Sequence, residues 1–252
     1  MIVHFIGAGP GAPDLITLRG LHFIKKSPVC LYAGSLVPQE IINLSQAKKI
    51  INTATMTLEE IITEIKKASL NNQDVARLHS GDLSLYSAIS EQIRCLKSLK
   101  IKYDITPGIS AYSAACSDIG TELTLPKISQ TIILTRTTVR SSNMPVKEDL
   151  SNLAKIGATL IIHLSINNLM KIVEILIPHY GNNCPVIIAY RVSWPDAKYL
   201  IGTLNTIREK VKKNVITRTA LIMVGEVFGK KDFQNSHLYN PNYSHILRRK
   251  KK

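Results

Sequence analysis

The sequence predicts an α/β fold in two α/β halves, and three observations carry that prediction. From Ile2 to Ile119, strand-like and helix-like segments alternate with short links rich in turn residues, the rhythm of a mostly parallel sheet. The rhythm breaks between Gly120 and Ser129, with Pro126 inside the break, and restarts at the strand pattern Gln130-Thr131-Ile132-Ile133-Leu134-Thr135. The first strand delivers a glycine-rich turn, Gly7-Ala8-Gly9-Pro10-Gly11-Ala12-Pro13-Asp14, into a helix start, which is how many α/β proteins bring bare backbone close to a ligand. A boundary is therefore expected at 121/122, giving an N-terminal α/β domain over 1–121 and a C-terminal α/β domain with a basic tail over 122–252.

In order, the apolar run 2–6 is the first strand, and further strand patterns fall at 28–33, 47–52, 74–79 and 102–106. Helical periodicity fills the gaps at 15–26, 38–45, 58–70, 84–99 and 110–119. The third helix is announced by Thr57-Leu58-Glu59-Glu60, a capping box in which Thr57 and Glu60 can satisfy each other's exposed amides. After the break, a polar stretch from Arg136 to Pro145 is rich in Thr, Ser and Arg. Strands are predicted at 157–164, 185–190, 197–202 and 218–225, with helices at 147–155, 167–180 and 203–213. Beyond Gly229 the periodicity fades into Asn, Tyr, His and Lys, and no repeat period emerges, which excludes a solenoid.

With 252 residues, 45% of them hydrophobic, the chain can bury a sizeable core. No apolar run approaches the roughly 20 residues of a membrane helix, and the chain opens on a strand pattern instead of a charged-then-apolar leader, so a cytoplasmic protein is expected. Cys30, Cys95, Cys116 and Cys184 are scattered without paired spacing, which predicts reduced thiols and no metal site. The net charge of +14 points to an anionic partner without choosing among them, because five of the positive charges are the terminal run Arg248–Lys252. Nucleic acid would fit that charge, yet no aromatic-rich basic stretch suited to stacking bases is present.

The first turn satisfies the letters of the dinucleotide fingerprint but not its physics. That motif receives a pyrophosphate on turn amides and a helix N-terminus. Here Pro10 removes one amide and Pro13 pushes Ala12 out of helical geometry. The second strand, Pro28-Val29-Cys30-Leu31-Tyr32-Ala33, also lacks the acid that would hold a ribose. A nicotinamide cofactor is excluded.

Four more stretches complete the pattern: Ser80-Gly81-Asp82-Leu83-Ser84-Leu85-Tyr86, Thr106-Pro107-Gly108-Ile109-Ser110-Ala111, Glu122-Leu123-Thr124-Leu125-Pro126 and Arg218-Thr219-Ala220-Leu221-Ile222-Met223-Val224-Gly225. In this order and spacing, from about Val3 to about Val227, the chain resembles the tetrapyrrole methylases, the S-adenosylmethionine enzymes that build sirohaem and the corrin ring. Tyr32-Ala33-Gly34-Ser35-Leu36-Val37-Pro38 and Tyr190-Arg191-Val192-Ser193-Trp194-Pro195-Asp196 resemble the corrin-building branch. The resemblance implies two α/β domains with the active site in the cleft between them, a homodimer, and a carboxylated tetrapyrrole acceptor. It also implies methyl transfer from S-adenosylmethionine, which leaves as S-adenosylhomocysteine. The alternative on the same fold is methylation of another ring position or of ribosomal RNA.

Carried over onto matching positions, the resemblance implies cofactor binding by Pro10, Ser80, Gly81, Asp82, Leu85, Ser110 and Ala111 in the first half, and by Leu164, Thr219 and Ala220 in the second. Asp82, beside a glycine at a strand's C-terminal end, is the candidate catalytic residue. Arg136 and Arg140 flank the polar loop and are of the type that pairs with carboxylates bidentately, a solvated loop being the alternative. Arg191 with Trp194 would present a plane beside a charge to a macrocycle; core packing is the alternative for Trp194. His4, His79 and His163 lie on strand patterns and read as core or rim residues. The chain departs from its relatives at Ala12, Leu83, Ser87 and Val139, where they carry Asp, Pro, Gly and commonly Gly.

Overall fold

A computed structural model describes residues 1–138, 143–230, 232–236, 240, 243–244, 246 and 248. The chain divides into two compact units, residues 1–118 with 191–197, and residues 119–190 with 198–252. The return of 191–197 to the first unit is a feature that the linear reading of domains does not anticipate.

In the first unit, β1 (Ile2–Gly7), β2 (Val29–Tyr32), β3 (Lys49–Asn52), β4 (Val75–His79) and β5 (Lys102–Thr106) form one sheet in the order β3-β2-β4-β1-β5. Every neighbouring pair is parallel. A parallel sheet must be covered on both faces, and period-2 alternation feeds both. Val3, Phe5, Val29, Leu31 and Val75 enter one core with Ile61 and Ile65, while Ile6, Cys30, Ala76 and Leu78 enter the other with Ile24 and Ile41. The helices are α1 (Leu18–Lys26), α2 (Gln39–Ile42), α3 (Leu58–Leu70), α4 (Ile89–Ser98) and α5 (Ala111–Asp118).

Two of these helices start later than their periodicity predicts. α1 begins after Thr17, whose extended backbone and hydroxyl, accepting from Gly20 N at 3.1 Å, make it the cap; Pro13–Leu15 forms a separate 3-10 turn. α4 begins at Ile89 because Tyr86 and Ala88 occupy the left-handed region (φ 52° each), and the Ser87 hydroxyl bonds back to the Leu83 carbonyl. α3 has the predicted capping box: Thr57 N donates to Glu60 Oε2 at 2.7 Å, and Glu60 N donates to Thr57 Oγ1 at 3.3 Å.

In the second unit, β6 (Ile132–Arg136), β7 (Thr159–His163), β8 (Pro185–Tyr190), β9 (Lys198–Thr203) and β10 (Ala220–Val224) form a sheet in the order β6-β7-β10-β8-β9. β6 and β7 are parallel, and the remaining pairs are antiparallel. Leu160, Ile162, Val186, Ile188 and Ile222 pack against α6 (Leu150–Ala154), α7 (Leu169–Tyr180) and α8 (Ile207–Lys213) through Leu150, Ile172, Leu176 and Ile207. Asp149 caps α6, accepting from Ser151 N at 3.0 Å. Among the described residues no helix is long and apolar enough to cross a membrane, and all four cysteines are free thiols.

Candidate active site

The first unit gathers its glycine loops at the C-terminal edge of β1, β4 and β5. The turn after β1 and the turn after β4 are stitched together: Ala8 N donates to His79 O at 2.7 Å, Gly81 N to Gly9 O at 2.7 Å and Gly9 N to Gly81 O at 3.3 Å. The loop after β5 closes on both. A methyl group at Gly108 would overlap the Gly81 carbonyl and stand 2.7 Å from the Gly7 carbonyl carbon, and one at Gly7 would stand 2.5 Å from Gly108 N. These two glycines let three strands' ends meet. Gly81 differs, for its φ is +66° and no atom lies within 4 Å of the position a side chain would take. The side-chain position there faces open space. Pro10, Ser80, Gly81, Asp82, Leu85 and Ser110 belong to these three loops and Ala111 opens α5 directly after the third, so the unit brings together its whole share of the predicted positions.

Asp82 joins two of the loops. Its Oδ2 accepts from Gly108 N at 3.0 Å and its Oδ1 from Ser84 N at 2.9 Å, with the Ser84 hydroxyl on the same oxygen. Partial burial disfavours its charge, but the bonds from the Ser84 hydroxyl and from the amides of Ser84, Gly108 and Leu83 together hold the carboxyl below its usual range. A carboxylate so engaged is a weak proton acceptor and a good clamp. Ser84 and Gly7 were not singled out in the sequence. The one sequence signal for Gly7 is its place at the end of the first apolar run, where a strand hands over to its turn.

The segment 191–197 lies on the first glycine loop. Trp194 Nε1 donates to Pro10 O at 3.0 Å, and Ala12 N donates to Ser193 Oγ at 2.9 Å. Arg191 stacks over the Trp194 ring, its guanidinium carbon 3.9 Å from the centroid, and its Nε pairs with Asp196 Oδ1 at 2.7 Å. The predicted pair of Arg191 and Trp194 is thus a real contact, and its other partners are the loop itself and Asp196.

In the second unit, Arg136 ends β6 opposite His163, Leu164 follows β7, and Thr219–Ala220 open β10 opposite Tyr190. The antiparallel register that puts Ile162 against Ile222 brings Leu164 beside the start of β10. One sheet edge therefore carries Arg136, Leu164, Thr219 and Ala220. Leu164 is exposed at 61%, and Leu164 and Thr219 both have left-handed backbones (φ 54° and 53°), so their strands end in sharp bends. Arg136 donates to the carbonyls of Thr137 and Asn143, each at 3.2 Å, folding its side chain along its own loop. Arg140 and Val139 lie outside the described residues.

His4 and His79 are buried and His163 is half-buried, as residues on strands of these sheets are. His4 Nδ1 meets Asp104 Oδ2 at 2.8 Å and its ring stacks on Phe23 at 3.9 Å. Burial, followed by the nearby Arg77 charge, pushes His79 down to about 3, and burial pushes His163 down to about 4.

A parallel sheet presenting three glycine loops at its C-terminal edge, with no acid closing β2, is the arrangement in which α/β proteins place small-ligand sites. Residues 2–208 match the family model of the tetrapyrrole (corrin/porphyrin) methylases, and the chain belongs to that family. It is 51% identical to a precorrin-4 C(11)-methyltransferase of Pseudomonas aeruginosa, over 98% of this chain and 99% of that one. It is 44% identical to a cobalt-precorrin-4 C(11)-methyltransferase of Methanocaldococcus jannaschii, over 99% and 97%. Among solved structures, a cobalt precorrin-4 methyltransferase of cobalamin biosynthesis superposes with a TM-score of 0.88 at 35% identity, over 91% of this chain and 96% of that one. A uroporphyrin-III C-methyltransferase from Thermus thermophilus, complexed with S-adenosylhomocysteine, shares the fold with a TM-score of 0.75 at 23% identity, over 90% and 99%.

Proposed function

We propose that this chain transfers a methyl group from S-adenosylmethionine to C-11 of precorrin-4 or its cobalt complex, giving the corresponding precorrin-5 and S-adenosylhomocysteine in cobalamin biosynthesis. The observation that carries the reading is the near-full-length likeness to the Pseudomonas aeruginosa enzyme of that name. The residues present fit the cofactor, because the open space beside Gly81 leaves room for a ligand against the loop while Gly7 and Gly108 keep the surrounding loops closely packed.

When bound, S-adenosylmethionine supplies a methyl group already activated on a sulfonium. The reduced macrocycle offers an electron-rich carbon, so acid–base help is a small part of what the protein must provide. Alignment is the larger part, and positioning can lower a barrier by roughly 7–11 kcal/mol. Pro10, Ser80, Gly81, Leu85, Ser110 and Ala111 are the proposed cofactor positions of the first unit, and Leu164, Thr219 and Ala220 those of the second. Asp82 serves this reading as the clamp between the second and third loops, its ionised carboxylate holding two amides. Arg136 is proposed to meet a carboxylate of the acceptor. A cytoplasmic homodimer belongs to the same reading and rests on the resemblance.

Purified protein incubated with methyl-labelled S-adenosylmethionine should place label at C-11 of precorrin-4 or its cobalt complex, read by NMR of the product. Label on another ring carbon, or on ribosomal RNA, removes the assignment. Sedimentation of the same preparation tests the dimer.

A further inference from the structure

We propose that Arg191–Asp196 is a strap that fixes the first glycine loop, so that Ser193 and Trp194 are positioning residues for the adenosyl ligand and not contacts for the macrocycle. The inference rests on the reading above that this loop receives S-adenosylmethionine.

Three features of the loop need the strap. The carbonyl of Pro10, at the middle of the turn, is bonded by the indole N–H of Trp194 at 3.0 Å. Ala12 heads the turn Pro13–Leu15 but has no side-chain cap of its own, and its amide is satisfied by the Ser193 hydroxyl at 2.9 Å. Gly11 lies directly against the indole: a methyl group there would stand 2.6 Å from Trp194 Nε1, so a larger residue must displace the ring and break its bond to Pro10.

The strap is itself held in one shape. Trp194 N donates to Arg191 O and Ala197 N to Trp194 O, both at 3.0 Å. Arg191 and Ser193 have φ of 46° and 62°, a left-handed conformation that non-glycine residues keep only where surrounding contacts compensate for it. The Arg191 charge is matched by Asp196 at 2.7 Å and lies over the indole face. The geometry turns it onto the strap.

The test is calorimetric titration of S-adenosylhomocysteine into wild type and into the Trp194→Phe, Ser193→Ala and Gly11→Ala variants, each checked for an unchanged circular dichroism spectrum. Loss of one loop hydrogen bond should weaken binding about three- to tenfold in each single variant. Ser193→Asn, which tolerates the left-handed backbone and keeps an accepting side-chain oxygen, should lose less affinity than Ser193→Ala. The double variant Gly11→Ala/Trp194→Phe should be no weaker than the worse single, because both remove the same contact. The Michaelis constant for precorrin-4 at saturating S-adenosylmethionine should stay within about twofold. Unchanged ligand affinity with a raised constant for precorrin-4 would make Trp194 an acceptor contact and overturn the proposal, as would unchanged values for both. Wild type that binds no S-adenosylhomocysteine would instead overturn the reading on which it rests. Should Trp194→Phe not fold, Ser193→Ala decides alone.

Discussion

The three glycines at the ends of β1, β4 and β5 look alike in the sequence, yet their surroundings assign them different work. Gly7 and Gly108 are caught between backbones that cannot give way, whereas Gly81 borders empty space with a positive φ. Gly108→Ala should therefore destabilise the fold by about 1–3 kcal/mol through overpacking, read as a lower urea midpoint. Gly81→Ala should cost only about 1–2 kcal/mol from its left-handed backbone while weakening S-adenosylhomocysteine clearly. An equal loss of stability in both variants, with ligand affinity untouched in Gly81→Ala, would contradict this division. The sequence marks all three as turn residues, since composition and spacing register a glycine's presence. The atom facing its missing side chain comes from another strand and is not written nearby in the chain.

At the scale of elements, most of the architecture was legible because burial and periodicity agree. Among the described residues, the ten strands and eight α-helices fall on predicted segments, and the alternation of strand and helix marks the first sheet as mostly parallel. The misjudged starts of α1 and α4 have local causes: a threonine cap in one and two left-handed residues in the other. Apolar spacing continues through Leu83 and Leu85, so periodicity alone extends α4 into what is a loop. The strap was legible only as a composition, because its partners Pro10 and Ala12 are some 180 residues away in sequence. Where a local rule is strong it can be tested locally. Thr57→Ala removes one half of the capping box on α3 and should lower stability by about 0.5–2 kcal/mol in urea unfolding, leaving the affinity for S-adenosylhomocysteine unchanged. A loss of ligand affinity without a loss of stability would show that α3 reaches the site in a way its capping does not explain.

For the whole molecule, His79 and His163 tie stability to pH in both units, since His79 lies on β4 of the first and the half-buried His163 on β7 of the second. Burial holds their folded-state values at about 3 and about 4, against 6.5 as the ordinary value. Both are neutral in folded and unfolded chains well above pH 6.5, so neither contributes a slope there. As the pH falls below 6.5 the unfolded chain takes up protons that the folded chain refuses. The unfolded state then binds more protons, and stability declines with acid by up to about 1.4 kcal/mol per pH unit for each histidine. Each contribution levels off only below its folded value, about 4 for His163 and about 3 for His79. Asp82, Asp149 and Glu64, whose folded values are depressed, add their own losses only once the pH enters the ordinary carboxylate range. The interval from about pH 6.2 to 5.0 therefore isolates the histidines. Urea unfolding across it should show a falling free energy in wild type and a shallower fall in His79→Gln and in His163→Gln. The double variant should be shallower than either single variant. A wild-type curve without slope in that interval would mean that the two rings accept protons in the folded protein.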